Sequence, residues 1–278
     1  MSTIYKDKNI TKMYYGSKPV YSFSVEDGGE TFVVPDGIKF AYSTFTEIPD
    51  YLDFSECTDL SKMFSSCNNL NNINLDNIKA TNMSYLFSNN TSLTNIISLN
   101  TSNATDISHC FDTCSSLTHI PLLDTHNVIK MDYLFTQCKK LQSIPQLDTT
   151  NLEDASQMFY YCEKLESVPL LDFGSVRTAL RIFDYCSNLT ELGGLKNFKP
   201  SVGYGFFETA PNLTTDSLMN VINNLYDWSG NTNGYASLNN GKRVYFSTTH
   251  TLKFGSTNLN KLTEEQIAVA TNKGWTLT

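Results

Sequence analysis

Five cysteines recur at one position of the sequence, where a row of thiols suits either metal binding or disulfide bonding. They are Cys67, Cys114, Cys138, Cys162 and Cys186. A zinc site requires a local pair of the type Cys-x2–4-Cys, and the candidate here is Cys110-x3-Cys114, with His109 beside it. Cys110, however, takes the place that Leu134 and Met158 take further along the chain, which is a core position. The sequence therefore predicts no metal site.

The second interpretation of the cysteine row is a disulfide framework. Bridged cysteines have Cα atoms about 4.4–6.8 Å apart, whereas packed helices lie about 8–10 Å apart. Each cysteine falls in a segment whose apolar spacing is helical, so neighbouring thiols are expected to lie too far apart to bridge. The prediction is a set of free thiols that pack as small buried side chains.

Histidines and aspartates are the other groups with a capacity for acid–base chemistry. The histidines are His109, His119, His126 and His250. The first three are predicted to face solvent, because other amino acids occupy their positions elsewhere in the sequence. Three regularly spaced aspartates, Asp124, Asp148 and Asp172, are explained by helix or turn capping. Without a Gly-x-Ser-x-Gly, His-Glu-x-x-His or phosphate-binding glycine motif, we predict no catalytic residue, no cofactor and no enzymatic activity.

A strict period of phenylalanines indicates which elements position these side chains. The residues are Phe64, Phe87, Phe111, Phe135, Phe159 and Phe183. Their numbers advance once by 23 (87 − 64) and then four times by 24 (111 − 87 and onward). Such regularity is typical of a solenoid built from stacked repeats. The five cysteines stand at the third position after their phenylalanines, and Asn90 takes that place in the second repeat.

Each repeat contains a leucine spine and a segment with helical spacing. Leu141, Ile144 and Leu147 represent the Leu-x-x-Ile-x-x-Leu pattern of a short strand. Prolines follow the Ile or Val in three repeats, at Pro121, Pro145 and Pro169, and are expected to shorten those strands. Apolar residues between Val128 and Cys138 are spaced by three and one, which predicts a short helix. The predicted repeat is thus strand, turn, short helix, turn.

The stretch Met131–Asp148 carries a family resemblance. It reads Met-Asp-Tyr-Leu-Phe-Thr-Gln-Cys-Lys-Lys-Leu-Gln-Ser-Ile-Pro-Gln-Leu-Asp and resembles the BspA-like leucine-rich repeats over about residues 45–197. Such repeats occur in surface proteins of gut and oral bacteria, in mycoplasma lipoproteins and in phage proteins. The resemblance implies a gut bacteriophage or Bacteroidetes protein, and it is specific for fold rather than for function.

The fold class that we predict is α/β, a leucine-rich-repeat solenoid of about six 23–24-residue repeats with different ends. Residues 1–44 lack the repeat and read as a small N-terminal β module, which would attach the protein. Residues 45–197 form the solenoid. Residues 198–278 read as an α/β C-terminal cap, with one helix that begins after Thr214 and another that begins after Thr263.

Composition argues against two kinds of partner. A formal net charge of −8 and a pI of about 5.0 give a surface that repels phosphate backbones, so no nucleic acid is expected. No run approaches the roughly 18 apolar residues of a membrane helix, so no membrane insertion is expected.

The first twelve positions contain no apolar segment of the secretory type, which favours a virion protein made in the host cytoplasm over an exported one.

Exposed aromatic side chains are the predicted binding surface, because tyrosine and tryptophan combine apolar area with a polar group. They are Tyr133, Tyr160, Tyr161 and Tyr185 near the predicted helices, and Trp228 and Tyr235 in a Gly- and Asn-rich stretch over 227–241. The six phenylalanines and the five cysteines of the row are predicted to form the repeat core. A strip of Asn, Thr and Ser beside the leucine spine is a weaker candidate surface.

The function expected from these features is structural and non-enzymatic. We expect a phage fibre, spike or tail-associated protein that uses a leucine-rich-repeat scaffold for host recognition. Its partners would be other virion proteins, through the N-terminal module, and a host surface protein or glycan. A homo-oligomer, as a trimer, is expected. The alternative is a BspA-like adhesin on a bacterial cell surface, and a weaker alternative is a glycan-degrading enzyme that uses the region from Trp228 to His250.

Overall fold

A computed structural model describes residues 13–15, 18–21, 32–199, 206–207, 209–229, 236–239, 242–245 and 250–278 of the chain. The strands before residue 200 are β1 (Met13–Tyr15), β2 (Lys18–Tyr21), β3 (Phe32–Val33), β4 (Leu52–Asp53), β5 (Asn72–Leu75), β6 (Asn95–Leu99), β7 (Ser167–Val168), β8 (Leu171–Asp172), β9 (Glu191–Leu192) and β10 (Leu195–Lys196). The later elements are α1 (Thr215–Asn224), β11 (Ala236–Asn239), β12 (Lys242–Tyr245), β13 (His250–Leu252), α2 (Ser256–Leu259), α3 (Glu264–Asn272) and β14 (Trp275–Leu277).

The six periodic phenylalanines form a column of stacked rings through the core. Each ring is fully buried, and neighbouring centroids lie 5.6–5.9 Å apart with nearly parallel planes. The column continues by one ring at each end, since Phe40 stacks on Phe64 at 5.6 Å and Phe207 stacks on Phe183 at 5.6 Å. Both added rings lie outside the range 45–197 that was predicted for the repeats.

The segment around each phenylalanine is a series of turns, and we call it the phenylalanine turn (residues 83–89 in the second repeat). Its alternate N–H groups donate to the next repeat. The bonds are Met83 N to Asp106 O at 2.8 Å, Tyr85 N to Ser108 O at 2.9 Å, Phe87 N to Cys110 O at 2.9 Å and Asn89 N to Asp112 O at 2.6 Å. The residues two before and two after the phenylalanine have positive φ, 57° at Tyr85 and 61° at Asn89.

The short helix predicted in each repeat is therefore wrong. Across 34–199 the structure has no helix. An α-helix directs every N–H to the carbonyl four residues before it, whereas here alternate N–H groups point along the stack to the neighbouring repeat. The remaining ones close tight turns, such as Leu86 N to Met83 O at 3.1 Å. Turns of this kind place apolar side chains three residues apart, which is the spacing that resembles a helix.

Short parallel strands form the other side of the repeats. β5 pairs with β6, β7 with β9 and β8 with β10, all in parallel. Around Pro121 and Pro145 the chain forms no strand, and Pro169 lies in the gap between β7 and β8, because proline has no N–H to donate to a neighbouring strand. Isolated parallel bridges also connect successive repeats, from Asp59 through Asn82 and onward to Thr178.

The N-terminal segment contains an antiparallel pair, β1 with β2, where the sequence predicts strand, turn, strand. β3 pairs in parallel with β4, and Val34 N donates to Asp53 O at 2.8 Å. β3 and Phe40 thus pack on the first repeat, although both come before residue 45.

The C-terminal region closes the end of the phenylalanine column. Thr214 caps α1 by accepting from Ser217 N, and Thr263 forms a capping box with Gln266 at the start of α3. The Phe254 ring meets the Phe207 ring edge-on, at 5.4 Å and 88°. β13 and β14 pair in parallel beside these helices. No helix among the described residues is long and apolar enough to cross a membrane.

The leucine-rich-repeat solenoid and the three domain ranges stay predictions. The described strands are short and pair two at a time. What the structure adds is the contact pattern between repeats, in which one ring stack and several hydrogen bonds connect each repeat to the next.

Candidate functional site

The cysteine row lies inside the stack as a ladder of thiol–carbonyl hydrogen bonds. Each Sγ donates to the phenylalanine carbonyl of the preceding repeat. The bonds join Cys67 to Phe40 at 3.2 Å, Cys114 to Phe87 at 3.2 Å, Cys138 to Phe111 at 3.1 Å, Cys162 to Phe135 at 3.1 Å and Cys186 to Phe159 at 3.0 Å. All seven cysteines of the chain are free and buried. Burial raises the pKa of Cys114 to about 12, which disfavours a reactive thiolate.

Asn90, which replaces cysteine in the second repeat, donates twice within the same ladder. Its Nδ2 lies 2.9 Å from Phe64 O and 2.7 Å from Phe87 O. The distance argument against disulfides assumed packed helices, and the structure has none across residues 34–199. The thiols nevertheless have a defined role, because each one adds a second donor to a phenylalanine carbonyl that already accepts a hydrogen bond within its own turn.

His109 lies in a second column of rings, at the position two residues before each phenylalanine. Its imidazole stacks between Tyr85 at 4.1 Å and Tyr133 at 4.3 Å. Nδ1 lies 2.9 Å from an Asp112 carboxylate oxygen, and Nε2 lies 3.8 Å from Asp132. Only 16% of the His109 side chain is exposed, so the prediction that it faces solvent was wrong. The shared positive φ of this position stacks these side chains along the repeats.

Asp132 is the acid in these surroundings whose titration is shifted. Burial, together with the nearby charge of Asp154, raises the pKa of Asp132 above its usual value. The neighbouring tyrosine rings cover both faces of the imidazole, Asp112 is hydrogen-bonded to its Nδ1, and the Asp132 carboxylate lies near its Nε2. The arrangement is a closed side-chain stack rather than an open site for a ligand.

Three of the predicted contact tyrosines do come together at the surface. We call Tyr160, Tyr161 and Tyr185 the tyrosine cluster. Tyr161 and Tyr185 stack at 4.1 Å with planes 14° apart, and the Tyr160 ring stands at 83° to both. Tyr185 is 41% exposed. Lys139 Nζ lies 5.9 Å from the centroid of the Tyr161 ring and pairs with Glu163 at 3.2 Å.

Tyr133 was predicted in the same patch, and that grouping was wrong. It stacks on His109 in the other column, and its hydroxyl accepts from Gln157 Nε2 at 2.6 Å. The two columns sit on opposite sides of the phenylalanine in sequence, two residues before it and two after it. Tyr133 therefore cannot be counted with the tyrosine cluster.

Trp228 was predicted to be an exposed contact residue, and this too was wrong. It is 6% exposed and stacks on His250 at 4.1 Å, with Tyr226 edge-on at 4.7 Å. Burial lowers the pKa of His250. Tyr235, the other residue predicted in this stretch, lies outside the described residues. In the described parts of the chain, no group of three or more His, Cys, Asp and Glu side chains is placed to hold a metal ion.

The comparisons with known proteins concern the repeats. A family model described as "Mycoplasma protein of unknown function, DUF285" matches residues 39–143 and 81–193. The two overlapping matches together span residues 39–193, more than half of the 278 residues. The chain belongs to this DUF285 family. No curated protein matches the chain.

The DUF285 match includes the residues that form the stack and the tyrosine cluster. It begins one residue before Phe40 and ends after Tyr185, so it contains seven of the eight stacked phenylalanines. Trp228 and His250 lie beyond it. The family description assigns no function, so the use of the surface has to be argued from its chemistry.

Two residues of the stack were not predicted, although the period of the sequence indicates them. Phe40 and Phe207 continue the phenylalanine period at its two ends, since 64 − 40 and 207 − 183 both equal 24. Asn258 carried no such signal. Its Nδ2 donates to the carbonyls of Phe207, Ala210 and Phe254 at 3.0–3.2 Å, and only the folded chain brings these groups together.

Proposed function

We propose that this DUF285 protein is a non-enzymatic recognition protein, in which a leucine-rich-repeat solenoid presents the tyrosine cluster to a protein or glycan on a cell surface. The observation that carries the proposal is the cluster itself. Three tyrosine rings lie in mutual contact at the surface of a stack whose phenylalanines are all buried. Tyrosine is enriched in binding surfaces because its ring supplies rigid apolar area and its hydroxyl forms hydrogen bonds.

Hydrogen bonds and core packing hold the backbone of the tyrosine cluster in place. Tyr161 N donates to Asp184 O at 2.9 Å, and Tyr185 N donates to the Thr209 hydroxyl at 2.7 Å. Phe159 and Phe183, which precede Tyr161 and Tyr185 by two positions, stack at 5.6 Å in the core. A surface held by the core in this way loses little conformational entropy when a partner binds.

The setting that we propose is a phage virion, as a fibre, spike or tail-associated component, and this part rests on the resemblance to BspA-like repeats. The N-terminal segment would attach the protein to other virion proteins. The assembly would be a homo-oligomer, as a trimer. The second candidate is a bacterial cell-surface adhesin with the same repeats. It rests on the same resemblance, since the family description assigns no function.

The binding role is tested by substituting the cluster and leaving its surroundings in place. The variant is Tyr160→Ala with Tyr161→Ala, and the matched control is Tyr133→Ala, which removes a tyrosine from the other column. Wild-type and control proteins should bind intact bacterial cells or a glycan array, and the double variant should not. Equal binding by all three folded proteins, as judged by their thermal melting, would remove the tyrosine cluster from the proposal.

The setting is tested separately by fractionation of a culture lysate in a density gradient. An antibody against the protein should detect it in the band of phage particles. Detection in the cell-envelope fraction would reject the virion component and leave the adhesin in its place.

A further inference from the structure

A groove of about 820 Å³ runs across three repeats on the side of the strands. One row of its lining is Leu122, Gln146 and Leu170, and the other is Asp124, Asp148 and Asp172. We call it the acidic groove. It lies about half a repeat away in sequence from the tyrosine cluster, so it is independent of the function proposed above.

Two of the three residues of the first row are leucines, with Gln146 between them. Leu122 is 74% exposed and Leu170 is 39% exposed. The equivalent positions in the first two repeats are polar, Asn74 and Ser98, which align with each other in β5 and β6. Single exposed leucines are ordinary on a protein surface. Two of them in one row, both lining one groove, supply apolar area for a ligand.

The second row is negatively charged. Asp172 pairs with Lys196 at 3.1 Å, but no lysine or arginine of the described residues lies within ion-pair distance of Asp124 or Asp148. Asp124 accepts from His126 Nδ1 at 2.6 Å, and Asp148 accepts from Thr150 N at 3.0 Å.

These hydrogen bonds keep the two carboxylates ionised. The bond from the His126 side chain lowers the pKa of Asp124, and the bonds from Thr150 lower the pKa of Asp148. The groove therefore holds negative charge at neutral pH on Asp124 and Asp148, which have no lysine or arginine partner among the described residues.

A threonine of the groove lining also has unused hydrogen-bonding capacity. Thr125 Oγ1 donates to Asp148 O at 2.9 Å and accepts from Asp148 N at 2.8 Å. Thr149 takes the same place one repeat later and lines the groove. It is 1% exposed, and its hydroxyl has no hydrogen-bond partner among the described residues.

The spacing of the rows fits an extended chain. Parallel strands lie about 4.8 Å apart, so leucines two repeats apart are separated by about 10 Å. An extended chain in the polyproline II conformation has three residues per turn and rises about 3.1 Å per residue. Apolar residues three positions apart therefore lie on one face of such a chain and span about 9 Å. We propose that the acidic groove binds an extended segment of a partner protein, with lysine or arginine residues between apolar side chains spaced by three.

The test uses a fluorescein-labelled peptide, Leu-Lys-Lys-Leu-Lys-Lys-Leu, and the full chain. A matched peptide with glutamate in place of lysine controls for the apolar contacts. The lysine peptide should bind, as measured by fluorescence anisotropy, and its affinity should fall as salt is added. Asp148→Asn and Leu122→Ser should each weaken binding by about tenfold, since truncating a central contact has an effect of that order.

Two control variants keep the same chemistry outside the groove. Asp76→Asn removes an exposed carboxylate from the same row, and Ile97→Ser removes an exposed apolar side chain nearby. Both should bind like the wild type. The proposal is overturned if the glutamate peptide binds equally well, or if the lysine peptide fails to bind. It is also overturned if the groove variants match the controls, or if Leu122→Ser abolishes a dimer in sedimentation.

Discussion

The central repeats and the C-terminal region satisfy the same kind of buried group with different donors. In the repeats, the carbonyl of Phe111 accepts from Cys138 at 3.1 Å, and the next repeat uses the same pair of positions. At the end of the stack, the carbonyl of Phe207 accepts from the side chain of Asn258, which is distant in sequence. Within the repeats, the donor to each carbonyl comes from the same position of the next repeat. At the end of the stack, the donor is a residue that has no counterpart in the repeats.

Two lysines of the C-terminal region extend the contrast. Lys261 Nζ donates to the carbonyls of Pro211 and Leu213 at 2.6 and 2.8 Å, and Lys273 Nζ donates to Asn223 O at 2.6 Å at the end of α1. A helix leaves its last carbonyls without internal partners, and the last repeat leaves its backbone without a following repeat. The comparison teaches that irregular side chains matter most where the repetition stops.

The largest effect is expected from a ring in the middle of the column. Phe135→Ala removes a fully buried ring that stacks on two neighbours, and substitutions of this kind cost about 3–5 kcal/mol of unfolding free energy. Urea denaturation measures the change. A loss below about 1 kcal/mol would mean that the stacked column contributes little to stability.

A nearly equal effect is expected from a single polar residue at the end of the stack. Asn258→Ala removes a side-chain donor from three buried carbonyls. Two of them, Ala210 O and Phe254 O, have no other donor among the described residues, and each orphaned group costs on the order of 1 kcal/mol or more. Asn260→Ala, an exposed position two residues on, is the control. If both variants melt at the wild-type temperature, the end of the stack does not depend on Asn258.

A pair of isosteric substitutions sharpens the comparison within the repeats. Thr125→Val removes two hydrogen bonds with Asp148 and should cost about 1–2 kcal/mol. Thr149→Val removes a hydroxyl that has no partner among the described residues and should leave stability unchanged or slightly higher. Chemical denaturation of the two variants, side by side, gives the difference. Equal losses would contradict the assigned bonding.

The smallest effect is a dependence of stability on acidic pH. Hydrogen bonds from Thr58, His126 and Thr150 lower the pKa values of Asp36, Asp124 and Asp148 below the usual 3.8. A carboxyl group whose pKa is lower in the folded state than in the unfolded state stabilises the fold when the pH lies above its unfolded-state pKa. That stabilisation is lost as the pH falls through its folded-state pKa. The melting temperature should therefore drop below about pH 4. An unchanged melting temperature between about pH 5 and pH 3 would contradict the hydrogen bonds assigned to these aspartates.

The period of the core was predictable from the sequence, because burial acts on every copy of the same position. Phe64 to Phe183 and the cysteines show it directly. The backbone path was not predictable in the same way. Three-residue spacing is shared by helices and by the phenylalanine turns, and only the hydrogen bonds to the next repeat distinguish them. The positive φ of Tyr85 and His109 had no signal either, because neither position is occupied by glycine.

The candidate site was predictable in part for the same physical reason. Tyr160, Tyr161 and Tyr185 were chosen as aromatic residues beside the core, and Tyr161 and Tyr185 lie one repeat apart, so stacking brings them together. Tyr133 belongs to another column, which the composition of the segment does not reveal. Trp228 was assigned to an exposed loop, but its environment is set by His250 and Tyr226 from distant or irregular segments.

The central claim, that the stack is held by contacts that recur in every repeat, is tested most directly by deleting one period. Removal of residues 112–135 joins Phe111 to Thr136, which takes the place of Asp112, and leaves every remaining position in register. Removal of residues 112–123, half a period, joins Phe111 to Asp124 and breaks the register. Thermal unfolding followed by circular dichroism should show a cooperative transition for the full-period deletion and none for the half-period deletion. Loss of the transition in both, or its retention in both, would contradict the account.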